Sequence, residues 1–139
     1  MRGYGWMRAS LALVAAVSLL LSAGCIIRTR AAVATGPAVV SAGPVVGGQV
    51  ANGTIAYPTQ RVQYPLAISY PRTVQIYCAG HGLDPTLSVY DGYGNQLGFN
   101  DDGGGGLDSQ LVLTLAPGNY IVEVAGYGSS TGPYTLTVN

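Results

Sequence analysis

The chain contains no lysine, one histidine, two cysteines and few charged residues of either sign. Its six basic residues are arginines that are spread along the chain and balanced by six acidic residues. Binding to a phosphate backbone needs clustered basic charge, so the composition excludes nucleic acid as a partner. A single histidine, His81, and the lack of a zinc-ligand spacing or a serine nucleophile motif also argue against an enzyme.

Helical periodicity is missing after the first 25 residues, and apolar residues alternate with polar or small ones from about Gln60 to the end. The alternating runs begin at Val62, Val74, Leu87, Gln96, Leu111, Tyr120 and Tyr134. Glycine, proline, asparagine and aspartate separate these runs, as expected for turns. Seven short strands at near-regular spacing predict an all-β fold, an antiparallel β-sandwich spanning residues 60–139. Cys78 falls on an apolar position and is predicted to be a small buried residue.

The first 24 residues have the parts of a bacterial signal peptide. Arg2 and Arg8 precede an apolar stretch from Ala9 to Leu21. This stretch is shorter than the roughly 20 apolar residues that cross a bilayer, which argues against a membrane-spanning helix. Ordinary secretion, with cleavage among the small residues at 22–24, is the remaining alternative.

Leu21 to Cys25 resembles the lipobox of bacterial lipoproteins, with Ser22 where that family more often has a branched aliphatic residue. The resemblance implies a diacylglycerol on Cys25, cleavage before it, and acylation of the new amino terminus, typically by palmitate. The lipid would anchor the protein to a membrane of the cell envelope. Position 26 is Ile and not Asp, which favours the outer membrane where the organism has one. An acylated Cys25 leaves no partner for a disulfide with Cys78.

Residues 25–59 are rich in Ala, Val, Gly and Pro and carry little charge. They include a short internal repeat, in which Gly36 to Val40 is echoed by Gly43 to Val46. The segment lacks a helical period and its prolines interrupt strand pairing, so it is predicted to be a flexible linker. The alternative is that its valines dock on the domain as an extra edge strand.

Several segments of the predicted domain follow one another in a distinctive order. They are Gly82 to Asp91, Gly94, Asn100 to Gly103, Asp108-Ser109, Leu115 to Tyr120 and Gly132 to Leu136. Together they resemble the bacterial pre-peptidase C-terminal domain. The resemblance implies a compact, jelly-roll-like β-sandwich of the kind attached to exported enzymes, with relatives that bind calcium or extracellular polymers such as collagen. Two departures are the lack of a catalytic domain in this sequence and the lack of acidic residues around 60–64.

A turn at Gly92 to Asn95 predicts a hairpin in which Asp91 faces Gln96 and residue 86 faces residue 101. Acidic residues would then gather at the far end of this hairpin, where the glycine-rich loop at 103–106 also begins. Hard oxygen ligands on flexible loops suit calcium, so we predict a calcium site. Its candidate ligands are Asp84, Asn100, Asp101, Asp102 and Asp108. The alternative is a set of solvated aspartates near turns.

Four tyrosines are candidate binding residues. Tyr77 and Tyr90 are predicted on strand faces opposite the core, and Tyr93 and Tyr127 in turns. Exposed tyrosine rings suit contacts with proteins or glycans, although cross-strand pairing within a sheet is an alternative role. The sequence therefore predicts a lipid-anchored, non-catalytic binding module for an envelope protein, a polysaccharide or another extracellular component. The alternative is a passive structural lipoprotein with no dedicated ligand.

Overall fold

The computed structural model describes residues 39–139, which form nine strands and no helix, and hence no helix that could span a membrane. The strands are β1 (Val39–Ser41), β2 (Gln49–Ile55), β3 (Arg61–Ile68), β4 (Arg72–Gly80), β5 (Pro85–Asp91), β6 (Gln96–Asn100), β7 (Ser109–Leu115), β8 (Gly118–Gly126) and β9 (Gly132–Val138). They build sheet A, in the order β1-β3-β8-β5-β6, and sheet B, in the order β2-β9-β4-β7. The predicted all-β sandwich is confirmed.

Most strands that follow one another along the chain lie in different sheets. From β3 to β9, only β5 and β6 form a hairpin, and every other connection crosses from one sheet to the other. All pairings are antiparallel except that of β1 with β3. As a result β8 lies between β3 and β5, which brings together residues far apart in sequence.

The core lies between the sheets and is formed by the alternate residues of each strand. Its fully buried members include Ile55, Val74, Ile76, Cys78, Leu87, Val89, Val122, Val124, Leu136 and Val138. Burial raises the pKa of Cys78 to about 12, with a smaller contribution from Asp108, so the thiol stays protonated and packs as a small apolar group. Its predicted burial is confirmed.

A hydrogen bond between two tyrosine side chains joins the two sheets inside this core. The hydroxyl oxygens of Tyr64 on β3 and Tyr134 on β9 are 2.8 Å apart in a buried hydrogen bond. Burial raises the pKa of both hydroxyl groups. Each hydroxyl satisfies the other, which removes the cost of burying either one alone.

The sandwich begins earlier than the boundary predicted at residue 60. Residues 39–59, predicted to be linker, contribute β1 and β2, so the alternative of docked edge strands describes them. Val45 and Ile55 are buried in the core, which explains why this apolar segment pairs with the sheets. The signal peptide, Cys25 and the linker up to residue 38 lie outside the described residues.

The predicted register of the β5–β6 hairpin is confirmed over three pairs, Leu87 with Asn100, Ser88 with Phe99 and Val89 with Gly98. A bulge then shifts the pairing by one residue, so that Tyr90 and not Asp91 faces Gln96. The shift leaves Asp91 free to close the turn.

Gly53 on β2 offers a test of whether this strand belongs to the folded domain. It lies opposite Tyr134 in the register of β2 and β9, and a methyl group added at Gly53 would overlap the Tyr134 ring. We expect Gly53→Ala to lower the free energy of unfolding by about 1–3 kcal/mol, because the ring is fixed in the core. Chemical denaturation would measure this. Gly43→Ala, where the added methyl meets no atom within 4 Å, is the matched control and should change little.

Candidate functional site

Acidic side chains gather at one end of the sandwich, as the hairpin register predicts. Asp84, just before β5, has a raised pKa, caused first by burial and then by the negative charges of Asp102 and Asp101. One carboxylate oxygen of Asp84, Oδ1, is buried and has no hydrogen-bond partner. An unpaired carboxylate oxygen beside two further carboxylates is a site that would favour a cation.

The other two candidate calcium ligands are occupied in holding the loop between β6 and β7. Asp108 accepts hydrogen bonds from the Tyr77 hydroxyl and from the main-chain N–H of Gly80, at 3.0 Å. Asn100 Oδ1 accepts from the N–H groups of Gly103, at 2.6 Å, and Gln110, at 3.1 Å. These side chains therefore order the loop.

Within residues 39–139, no group of three or more His, Cys, Asp or Glu side chains is arranged to hold a metal ion. The predicted convergence of four carboxylates is not found. Ser109 explains the difference, because its side chain is fully buried and its hydroxyl lies 2.5 Å from the Pro85 carbonyl oxygen and 2.7 Å from that of Asp101. This buried contact fixes the start of β7 and leaves Asp108 beside Tyr77. Burial and the nearby charges of Asp102 and Asp101 raise the pKa of Asp84, but in this structure the three carboxylates are not arranged as a metal-binding group.

The structure separates the four candidate tyrosines. Tyr77 is bound to Asp108, and Tyr127 follows β8 at the acidic end, where its N–H donates to the Asp84 carbonyl. Tyr90 and Tyr93 lie at the opposite end, on β5 and in the β5–β6 turn. Tyr93 is 95% exposed and Tyr127 is 57% exposed. Tyr90 and Tyr93 line two adjoining cavities.

That cavity, which we call the hairpin groove, has a volume of about 500 Å³. It is lined by Gln63, Tyr90, Asp91, Gly92, Gly94, Asn119, Tyr120 and Ile121. An adjoining hollow of about 520 Å³ shares Asp91, Gly92, Asn119 and Tyr120 with it and adds Tyr93, Pro117 and Gly118. Aromatic and aliphatic walls with a few polar groups are typical of a binding site.

The groove owes its shape to two features that converge on β8. Ile121 pairs with both Pro65 on β3 and Tyr90 on β5, which places these side chains in one row across the outer face of sheet A. Tyr120 donates a hydrogen bond from its hydroxyl to the Ala116 carbonyl, at 2.9 Å, and so holds the β7–β8 turn. Gln63, Asn119, Tyr120 and Ile121 were not predicted as site residues, because strand order is needed to bring them together.

Asp91 stiffens the other wall of the groove. Its carboxylate accepts hydrogen bonds from the N–H groups of Tyr93 and Asn95 and from the Asn95 side chain, each at 2.8–2.9 Å. These bonds, the Asn95 side chain first, lower the pKa of Asp91. Gly94 closes the turn with a φ of +87°, a conformation that suits glycine. The turn therefore presents Tyr93 from an ordered backbone.

A buried acid lies next to the groove. Glu123 on β8 accepts a hydrogen bond from the Gln63 amide at 2.7 Å and pairs with Arg61 at 3.4 Å. Because Gln63 also lines the groove, this contact fixes the position of its amide.

The side chains that His81 contacts do not form a catalytic arrangement. Its Nε2 is 2.8 Å from the Thr135 hydroxyl, which in turn donates to Asn52 Oδ1 at 3.1 Å on the exposed surface of sheet B. A threonine and an amide do not activate an imidazole as a carboxylate does. The chain of contacts ties β2 to β9 and to the residue after β4.

Solved structures share this fold. The pre-peptidase C-terminal domain of a collagenase from Bacillus anthracis matches with a TM-score of 0.60 and 16% identity, over 73% of this chain and 94% of that one. PliG, a periplasmic inhibitor of g-type lysozyme from Aeromonas hydrophila, matches with a TM-score of 0.59 and 18% identity. The match covers 73% of this chain and 96% of PliG. CorA, a surface-associated copper-binding protein of Methylomicrobium album BG8, matches with a TM-score of 0.54 and 12% identity. The match covers 73% of this chain and 98% of CorA.

At these identities the likeness shows the fold, which is that of the pre-peptidase C-terminal domain. Comparison with protein-family models gives no match, and comparison with curated proteins gives none either.

Asp84 and Asp91 are expected to affect stability in opposite directions. The native state raises the pKa of Asp84 above its ordinary value of about 3.9, so ionised Asp84 destabilises the fold as the pH rises through and above that value. The pKa of Asp91 is lowered, so its carboxylate stabilises the fold until the pH falls through its native pKa. At pH 7 and in chelator, Asp84→Asn should raise the melting temperature and Asp91→Asn should lower it.

Thermal unfolding between pH 2 and pH 8 would measure both effects, and both should shrink as the pH falls and the two carboxyl groups take up protons. Two variants that shift the melting temperature in the same direction at pH 7 would contradict this account of the charges.

Proposed function

We propose that this protein is a lipid-anchored module of the cell envelope that binds another envelope or extracellular component without catalysis. The hairpin groove and the hollow beside it carry the proposal. The tyrosine and isoleucine walls of the groove, the ordered turn and the exposed Tyr93 of the adjoining hollow form a preorganised surface. Tyrosine contributes a large rigid contact area at low entropic cost.

The charge of the domain narrows the class of partner. Residues 39–139 contain all six acids of the chain but only two of its arginines, Arg61 and Arg72, and Arg61 is paired with Glu123. The groove is lined by Asp91 and by no basic residue. A neutral or basic partner is therefore favoured over an anionic one.

Two observations support an envelope location. The amino-terminal segment resembles a lipoprotein signal that ends in Cys25, and two of the structurally similar proteins are described as periplasmic and surface-associated. One of these inhibits a lysozyme and the other binds copper, so the same fold serves as a binding scaffold elsewhere. A lipid on Cys25 would hold the groove near the membrane surface.

We also propose that calcium binds at the acidic end on Asp84, with the Asp101 and Asp102 side chains moving in to complete the site. The unpaired Oδ1 of Asp84 supports this, and so do the burial and the carboxylate repulsion that raise its pKa, because a bound cation would offset these costs. Asn100 and Asp108 are assigned to loop structure in this proposal.

The binding function is tested by capture from detergent-solubilised membranes, with the full chain as bait. We expect one component to be recovered reproducibly with the wild-type chain and lost with Tyr93→Ser. The Tyr93 side chain is almost fully exposed, so its removal should leave the melting temperature unchanged. Tyr127→Ser, which removes an exposed tyrosine at the other end, is the matched control and should capture the component as the wild type does.

Equal loss with both variants would contradict a site at the groove, and no reproducible component would favour the passive structural alternative. The anchor is checked in the same preparation, since mass spectrometry of the mature amino terminus should show an acylated Cys25. Recovery of an unmodified Cys25 thiol would remove the lipid anchor from the proposal and leave the groove in place.

Calcium binding is tested by calorimetric titration and by the melting temperature in calcium and in chelator. At a calcium concentration 100 times Kd the wild type should gain about 2.7 kcal/mol of stability. Asp84→Asn should abolish this gain, and Asp91→Asn, at the opposite end, should retain it. A wild type that releases no heat and melts at the same temperature in chelator would exclude the site.

A further inference from the structure

The hairpin groove offers hydrogen-bond acceptors to a ligand. Gln63 donates its side-chain N–H to Glu123 at 2.7 Å, which leaves the amide oxygen of Gln63 as the free acceptor. A carboxylate has about four acceptor sites, and the turn uses three of those on Asp91, two on Oδ1 and one on Oδ2. Gly92 leaves the Asn119 carbonyl oxygen uncovered, since a Cβ added at Gly92 would lie 3.4 Å from that oxygen. A ligand that fills the groove must therefore bring donors.

The groove also carries a negative charge that no cation pairs with in the described residues. Hydrogen bonds from the turn, the Asn95 side chain first, lower the pKa of Asp91, so this carboxyl is ionised at neutral pH. The neighbouring carboxylate of Glu123 is already paired with Arg61, at 3.4 Å. Arg72, the other arginine of residues 39–139, begins β4 in sheet B, where its guanidinium lies against Gly47. The groove therefore favours a positively charged group.

Tyrosine rings surround this charge. Tyr90 and Tyr120 line the groove, and Tyr93 lines the hollow beside it. The Tyr120 ring is held in place by the bond from its hydroxyl to the Ala116 carbonyl. The face of an aromatic ring attracts a cation through its quadrupole. Acceptors, a carboxylate and tyrosine rings together suit an ammonium or guanidinium group.

The rim around this charged centre is apolar and wider than one small ligand. Tyr70, which follows β3 at this end of the sandwich, is 63% exposed, and Tyr93 is 95% exposed. Leu97, near the start of β6, is 43% exposed. Exposed apolar side chains around a polar centre are typical of a protein interface, because they exclude water from the central contact. A free polyamine or an amino sugar would leave this rim uncovered.

We propose that the hairpin groove receives a lysine or arginine side chain of a partner protein, with the Asp91 carboxylate and the tyrosine rings around its charge. The inference rests on the proposed binding function and specifies the chemical group that the groove selects. Asn119 faces the same space from β8, since it lines both the groove and the hollow. Its side chain is exposed and has no hydrogen-bond partner among residues 39–139, so its charge can be changed without loss of a contact.

The sign of the charge is tested with Asn119→Asp and Asn119→Lys in the full chain in detergent. Acetyl-lysine amide is the probe, and its binding is followed by the NMR shifts of the Tyr93 and Asn95 main-chain N–H groups. Asn119→Asp should bind the probe more tightly and Asn119→Lys more weakly than the wild type, with roughly tenfold between the two variants. Acetyl-norleucine amide, a neutral side chain of similar length, should bind the wild type several-fold more weakly than the lysine probe.

Gln75→Asp and Gln75→Lys are the matched controls, because they change the net charge equally on the exposed face of sheet B. Both should bind the probe as the wild type does. Equal binding by the two Asn119 variants, equal binding of the two probes, the same effect at Gln75, or no saturable shift at about 100 mM probe would overturn the inference.

The same variants separate this inference from the binding function on which it rests. A component that the wild type captures from membranes should be captured by Asn119→Asp, largely lost with Asn119→Lys, and released from the wild type at about 0.5 M salt. Capture by both Asn119 variants alike would overturn the inference and leave the binding function standing, with a neutral partner such as a polysaccharide. Failure to capture any component would contradict the binding function, and the probe titration would still decide whether the groove selects a cation.

Discussion

The face-to-face packing of two sheets is the constraint on which the other features of this domain depend. Each strand gives alternate residues to one core, and the hydroxyl pair of Tyr64 and Tyr134 bridges the sheets at 2.8 Å inside it. With Cys78 a buried free thiol, no disulfide reinforces the described residues. Burial of apolar side chains from both sheets therefore supplies most of the stabilisation, and β2 is needed because Gly53 and Ile55 complete the surroundings of Tyr134 and the core.

The same packing separates two ends of the molecule that differ in their electrostatics. At one end Asp84, Asp101 and Asp102 bring negative charges together around a buried oxygen without a partner. At the other end hydrogen bonds to the Asp91 carboxylate lower its pKa and order the turn that presents Tyr93. One end thus concentrates like charges, and the other is stiffened by hydrogen bonds within its turn.

Several strands can be predicted from local sequence alone, because a strand with one buried face shows as an alternation of apolar and polar residues. The strands at 61–68, 72–80 and 132–138 are of this kind, and so is the hairpin register at Leu87 and Asn100, which a glycine-containing turn sets. The bulge after Val89 was not predictable, since a one-residue shift depends on how β6 packs against β7. The segment of β1 and β2 was predicted to be a linker, with an extra edge strand only as the alternative, because its weak pattern becomes ordered only when the sheets supply partners.

The amino-acid sequence by itself determined the all-β class, the polar turns and the proximity of Asp101 and Asp102 to Asp84, because these depend on local periodicity and one hairpin. The tertiary structure alone decided the strand order, in which β8 separates β3 from β5. That order places Ile121 between Pro65 and Tyr90, assigns Asp108 to Tyr77 and leaves β7 at an open edge. The physical reason is that contacts between strands distant in the chain are chosen by the fit of whole sheets, which no short segment encodes.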